Sequence, residues 1–299
     1  MDLTLWPLVS QPWPALCEAV ELVEGLGWHG VMVEDHFMAD GSGFGAVSDP
    51  RFEVTTVLSA LAVATNSLRL APLVMSATYR HPSVVANWAA SVDHISGGRL
   101  TLGLGAGWQI NEHEQYGIEM GTPGERIGRL DEYCSVVRSL LEQSVTDFNG
   151  RFFELSNAWC EPKPVQDRLP LLIGGKGDRM LRLVARHADM WNMWAMPSKF
   201  AERSAVLDQA CDDIGRNPAT IRRSTQALVC LTDSESDARS FLDAAGGRAA
   251  FAGTAKQFAE LAAQWRDAGV DELVVPDWHL GTGAQRAESI EAITAALQA

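Results

Sequence analysis

The chain has 299 residues, of which 46% are hydrophobic, and 38 acidic against 24 basic side chains give a net charge of −14. That length holds one large unit or two small ones around a sizeable core. So acidic a surface repels a phosphate backbone, which argues against nucleic acid as a partner and otherwise serves solubility.

Five cysteines (Cys17, Cys134, Cys160, Cys211 and Cys230) form no CxxC pair. They argue against a disulfide framework or a structural zinc site and fit small buried residues in a reducing cytoplasm. The opening MDLTLWPL has an acid where a secretory signal needs a basic region, and Pro7, Pro12 and Pro14 interrupt any helix there. No apolar run reaches the roughly 18 residues of a membrane span.

In chain order, an apolar run at 3–9 precedes a helix-period stretch at 14–26 that Gly27 closes. A short run at 30–33 ends in Glu34-Asp35-His36-Phe37. The glycine-rich loop 38–49 follows, readable as a mobile lid or as an ordinary connection, and then a helix at 54–64. The runs 68–75 and 100–104 flank a helix at 83–95. The second of them breaks into Gly103, Gly105 and Gly107, with no helix expected directly behind. After a helix at 124–141 comes an insertion near 142–169, where Asn149-Gly150 reads as a tight hairpin turn. Strands at 171–173, 190–193, 226–231 and 272–275 then alternate with helices at 179–187, 199–214, 254–268 and 284–297. Eight strand–helix pairs predict a single α/β domain over 1–299, a (β/α)8 TIM barrel with an insertion between its fourth helix and fifth strand. Continuous apolar strands fit a parallel sheet buried on both faces.

In such a barrel the ends of the strands carry the chemistry. Asp35 and His36 leave the second strand, where a histidine can exchange a proton near neutral pH; a structural Asp–His pair is the plain alternative. Gly103 to Gly107 lacks GxGxxG spacing and reads as a tight turn, or as backbone bared for close approach of a ligand. Asn111 follows with an amide suited to a hydroxyl or a ring carbonyl. Gly174, Gly175, Lys176, Gly177 and Arg179 stand where a helix opens, a general anion site by geometry and dipole. Ten tryptophans are a high count, and Trp6, Trp108 and Trp191 near strand ends suit the walls of a planar ligand. His113 is a candidate to reach the site from its loop. The histidines His81, His94, His187 and His279 show no ligand spacing, so no metal is expected. No GxSxG elbow occurs, and Gly41-Ser42-Gly43 lacks its spacing.

The segment YRHP, the turn DHISGGR and GLGAGW followed by Asn111 and Glu112 resemble the luciferase-like monooxygenase superfamily. The strings at 27–37, 124–132, 171–192 and 253–275 extend the likeness nearly end to end. Within it the chain is most similar to the branch that uses the deazaflavin coenzyme F420. The resemblance implies hydride transfer between F420 and a small organic substrate, with the close alternative of FMN and oxygen. It implies that Asp35 and His36 touch the ring and that His36 takes part in hydride chemistry. It implies a non-proline cis peptide at Leu73–Val74 backing the ring, the cofactor chain along Gly105, Ala106, Gly107 and Asn111, and its phosphate at 174–177. Arg80, Arg126 and Arg179 are candidate cations for an F420 tail. Sugar-phosphate dehydrogenases of this branch carry a catalytic glutamate where this chain has Trp108, which speaks against glucose-6-phosphate as substrate. A homodimer is implied as well.

Two other classes stand beside this reading. A non-redox lyase or isomerase needs a base or Schiff-base lysine at a strand end, and Lys163, Lys176, Lys199 and Lys256 are placed at none. A cofactor-free structural or regulatory barrel is the other.

Overall fold

The computed structural model describes residues 1–41 and 45–298. Its elements run β1 (Asp2–Trp6), α1 (Trp13–Gly25), β2 (Gly30–Val33), α2 (Val54–Ala64), β3 (Arg69–Pro72), β4 (Met75–Ser76), α3 (Pro82–Ser96), β5 (Leu102–Gly105), α4 (Ile110–Tyr116) and α5 (Pro123–Glu142). There follow β6 (Thr146–Asn149), β7 (Glu154–Ala158), β8 (Leu171–Gly174), α6 (Asp178–His187), β9 (Met190–Trp194), α7 (Pro197–Asp212), β10 (Arg222–Gln226), β11 (Leu228–Leu231), α8 (Glu235–Ala244), β12 (Ala250–Gly253), α9 (Ala255–Asp267), β13 (Glu272–Pro276) and α10 (Gly283–Gln298).

Nine parallel strands form one sheet in the order β3-β2-β1-β13-β10-β9-β8-β5-β4. β3 and β4 are two pieces of one stave, parted at Leu73–Val74. β4 pairs with β5, and a bridge from Leu70 to Leu100 draws β3 to the same neighbour. The result is a nearly closed α/β barrel of eight staves. Helix ends follow local chemistry. Thr122 and Glu125 form a capping box at α5, Thr254 and Gln257 another at α9, and Gly97 ends α3 at φ 66°. The main core lies between staves and helices. A smaller apolar cluster of Trp6, Met32, Ala71, Leu73, Leu172, Met190 and Val274 fills the barrel interior.

Several expectations need correction. The seventh stave is Arg222–Gln226, not 226–231. Residues 228–231 form β11, which leaves the barrel to pair in parallel with β12. The apolar run LVCL carries the stronger β signal, but the polar RRSTQ has the register, Arg222 to Gln226 against Met190 to Trp194. The helix α4 opens three residues behind Gly107, where none was expected, and α8 is a further helix. The insertion is the antiparallel hairpin β6–β7, joined by a looser turn in which Gly150 N–H donates to Phe153 O. The 38–49 loop falls partly on residues 42–44, outside the described residues. At its start Met38 and Ala39 are buried and pinned, their carbonyls accepting from Gln109 and Asn111. All five cysteines are free thiols. Among the described residues no helix is long and apolar enough to cross a membrane, and no cluster of His, Cys, Asp or Glu is fit to hold a metal ion.

Candidate active site

The carboxyl ends of the staves surround a cavity of about 490 Å³, within the usual size of a small-molecule site. Its floor is the residue pair that splits the third stave. The Leu73–Val74 peptide is cis, and both side chains line the cavity. Glycines make room for Val74. A Cβ on Gly105 would lie 2.5 Å from Val74 Cγ2, and one on Gly174 would lie 3.2 Å from the same atom. Gly107, at φ 81°, is bare because a Cβ there would meet Ser76 Oγ at 2.6 Å. The glycines after the fourth stave therefore serve protein-to-protein packing first, while Gly105, Ala106 and Gly107 still face the cavity.

Asp35 and His36 leave β2 into this space and are held by different partners. The Asp35 carboxylate accepts from Ser76 N–H at 3.0 Å and from Arg80 at 2.8 and 2.9 Å. Burial pushes its carboxyl above the ordinary range, and Arg80 offsets part of that. Arg80 is also bound to Glu53 at 2.6 Å, so it locks β2, β4 and the start of α2 together and is no candidate for a cofactor tail. Arg126 donates to Gly121 O, and exposed Arg179 lies against Gly124 at the start of α5.

His36 Nδ1 lies 2.9 Å from Glu112 Oε2. Glu112 is completely buried on α4 and gathers three other donors: Tyr79 Oη at 2.5 Å, Met38 N–H at 3.3 Å and Phe37 N–H. Burial alone would raise its carboxyl. The hydrogen bonds from His36, Tyr79 and Phe37 outweigh that and hold it below the ordinary range. An ionised carboxylate only accepts, so His36 Nδ1 carries a proton and chemistry toward the cavity falls to Nε2. The Trp108 ring stands edge-on to His36, centroids 5.4 Å apart, and is 52% exposed.

A hydroxyl chain runs behind the floor. Ser76 Oγ lies 2.6 Å from Thr78 Oγ1, which lies 2.8 Å from His113 Nε2, while His113 Nδ1 donates to Gln109 O at 2.6 Å. His113 thus lies behind the cavity wall, linked to it through Thr78 and Ser76 and packed on Tyr79 with ring centroids 5.0 Å apart.

At the β8 exit, Gly174, Gly175 and Lys176 line the cavity; Gly177 and Arg179 do not. The Gly175 amide donates to Asn192 O at 3.0 Å, so the run of bare amides is shorter than the glycines suggest. Gly177 caps α6 without a side-chain hydrogen bond, and Asp178 in the first turn is paired with Arg203. Lys176 stands two residues beyond β8, so a lysine does occupy a strand exit. It is exposed and lacks the desolvation that activates a Schiff-base lysine.

Two expected contacts turn away from the cavity. Trp191 is 0% exposed, stacked on Phe200 at 5.1 Å, with its indole N–H donated to Gly175 O at 2.7 Å. Strand residues alternate, and in β9 the inward positions are Asn192 and Trp194. Asn111 spends its amide on Ala39 O at 2.8 Å and does not line the space. Trp6 does line it, packed against Trp194 and Trp278. Sequence reasoning missed Tyr79 and the part played by Glu112. The signal for Glu112 was its position five residues before Gly117, which ends α4 at φ 67°.

A flat cofactor fits this donor set. The floor is apolar, and the buried wall atoms Trp6 Nε1 and Gln226 Oε1 have no hydrogen-bond partner among the described residues. Buried polar atoms are rarely left so without reason.

Comparison with known proteins bears on the fold and the family. The fold overlays that of an F420-dependent secondary alcohol dehydrogenase in complex with an F420-acetone adduct, with a TM-score of 0.85 over 98% of each chain at 18% identity. It overlays a long-chain alkane monooxygenase at 0.84, 16% identity, over 100% of this chain and 91% of that one. In sequence, an uncharacterised protein of Mycobacterium tuberculosis is 35% identical over 135 residues, 45% of this chain and 47% of its own length. The pyrimidine monooxygenase RutA of Escherichia coli is 32% identical over 184 residues, 58% of this chain and 50% of its own. The chain spans about half the length of these curated relatives. A family profile described as luciferase-like monooxygenase matches residues 3–296, and with that span the chain belongs to the luciferase-like monooxygenase family.

Proposed function

We propose that this protein, acting as one luciferase-like unit over 1–299, is an oxidoreductase that transfers a hydride between coenzyme F420 and a small organic substrate. One observation carries the reading: a single cavity joins an apolar floor, raised by Leu73 and Val74, to a histidine whose Nδ1 is fixed by a buried carboxylate. When bound, the deazaflavin supplies the hydride acceptor or donor, and the protein supplies position and charge.

Leu73 and Val74 back the ring. Gly105, Ala106 and Gly107 leave a smooth wall beside it. Lys176 and the uncapped start of α6 attract a phosphate. Asp35 holds the β4 edge and Arg80 in place. His36 exchanges a proton at Nε2, its tautomer fixed by Glu112. Glu112 is a positioning residue, since it touches His36 and not the cavity. Trp6, Trp108 and Trp194 enclose the substrate.

FMN with oxygen is the second reading. The pyrimidine monooxygenase relatives favour it, and so does the engagement of Arg80 elsewhere, which removes one cation from the tail of F420. A titration of the purified protein with F420 and with FMN, followed by tryptophan quenching, separates the two. Binding of F420 supports the first; response to FMN with none to F420 reverses the order. Binding of neither returns the chain to a cofactor-free or non-redox barrel. A cytoplasmic homodimer goes with this proposal, and sedimentation tests the dimer.

A further inference from the structure

The part of the cavity wall built by β1, β9 and β10 differs from the rest. Its lining residues are Trp6, Asn192, Met193, Trp194 and Gln226, none of them charged. The charged or titratable linings are Asp35 and His36 at the exit of β2, Tyr79 beyond β4 and Lys176 at the exit of β8. Trp6 and Gln226 flank β13, in register with Pro276 and Val274. Both are 5% exposed, and each keeps one polar atom buried without a partner: an indole N–H that can only donate, and an amide oxygen that can only accept. Trp278 packs edge-on to Trp6 at 4.9 Å, and Trp194 lies tilted at 5.8 Å, so aromatic surface surrounds the Trp6 indole.

We propose that the substrate is a neutral, flat molecule that presents a carbonyl and an adjacent N–H, the edge of a cyclic amide, to Trp6 Nε1 and Gln226 Oε1. This rests on the reading of the cavity as an oxidoreductase site. The chemistry of the wall excludes the simpler edges. A carboxylate offers only acceptors, repels Gln226 Oε1 and loses its hydration with no cation in this wall. An ammonium offers only donors to an indole that has none to accept with. A ketone satisfies Trp6 and leaves Gln226 unpaired. An alcohol places both functions on one atom, whereas the two wall groups sit on staves separated by β13, roughly 10 Å apart in backbone. An amide edge spreads acceptor and donor over neighbouring atoms.

Isothermal titration of the purified protein, cofactor-free and cofactor-saturated, with 2-piperidone, cyclohexanone, cyclohexanol and cyclohexanecarboxylate tests this. The lactam is expected to bind about tenfold or more tightly than the other three, because a site built for a hydrogen-bonding group rejects analogues that lack it. Gln226→Leu is expected to lower 2-piperidone affinity about tenfold and leave cyclohexanone affinity within about twofold, whereas Trp6→Phe is expected to lower both, since both carbonyls accept from the indole. The two variants alter different staves, so misfolding of one leaves the other to decide. Equal binding of lactam and ketone, equal or tighter binding of the alcohol or carboxylate, failure of 2-piperidone to bind, or an undiminished 2-piperidone affinity in a folded variant overturns the proposal. If the lactam preference holds and neither F420 nor FMN binds, the redox reading falls and the amide-edge site stands. If a cofactor binds without the preference, the reverse is true.

Discussion

The two ends of the barrel hold similar residues to opposite purpose. At the amino ends of the staves a second cavity of about 320 Å³ is lined by Thr4, His29, Arg69, Arg222 and Glu272, among others. There the charges tie the chain to itself. Arg69 donates to Leu100 O and to Thr101 and Gln166; Arg222 pairs with Asp2; Asp189 takes Arg138 and the Leu171 amide. Beside it Arg99 collects Ala62 O, Thr65 O and Leu68 O. At the carboxyl ends, Asp35 and Glu112 are tied down by groups behind the wall, and this holds His36 at the edge of the cavity. Ion pairs that close on one another brace the barrel, whereas ion pairs that fix a third group prepare chemistry. This is the division of labour expected between the two faces of such a barrel.

The contrast can be broken most sharply at Glu112. Glu112→Gln turns an acceptor toward four donors into one that can serve only some of them. It is expected to lower kcat about 100-fold and stability by about 2 kcal/mol at pH 7, measured by turnover and by denaturant unfolding. The sign with pH is fixed. Glu112 titrates below its ordinary value in the folded protein, so its stabilisation is present above that value and is lost as pH falls through the folded one. The stability gap between wild type and variant should close on acidification. A gap that widens instead contradicts the ionised carboxylate.

Gly105→Ala comes next. Its Cβ overlaps Val74, so a loss of about 1–3 kcal/mol is expected, with cofactor affinity falling too. Adding Val74→Ala should restore part of the stability, and strictly additive losses would show that the two do not meet.

At the other end the sign reverses. Glu272 is buried, its Oε2 accepts no hydrogen bond and lies 4.0 Å from Arg222 Nε, and burial raises its carboxyl, opposed by Thr4 and Arg222. A raised folded value means that its contribution is full at low pH and lost as pH rises. Glu272→Gln is therefore expected to stabilise by about 1 kcal/mol at pH 8, a few degrees in Tm, with little change near pH 4. Equal effects at both pH values would place the carboxyl among ordinary ones. Trp108→Ala should change stability by less than about 0.5 kcal/mol, since the ring is half exposed, yet raise KM for the substrate.

Much of this was legible in the chain. Alternating periods gave seven staves within a few residues, and glycines marked the fourth and fifth exits. The seventh stave was misplaced because LVCL outweighs RRSTQ in apolar content, and only pairing with β9 reveals which one closes the barrel. Trp191 reads as an inward wall because strand parity cannot be told without the register of the neighbours. Glu112 escaped because a seven-residue helix is too short for a 3.6-residue period to show, and because its partners Phe37 and Tyr79 are distant in sequence. Arg80 looks like an open cation for the same reason: its acid partners lie 27 and 45 residues away.

Trp191 turns its back on the cavity and still grips the Gly175 carbonyl. Phe200 of α7 is stacked behind it, so the outermost layer of the molecule has a mechanical hold on the rim. A change on that outer helix, remote from any ligand, can reset the poise of the loop after the fifth stave. Selection thus has a handle on affinity that leaves the reacting surfaces as they are.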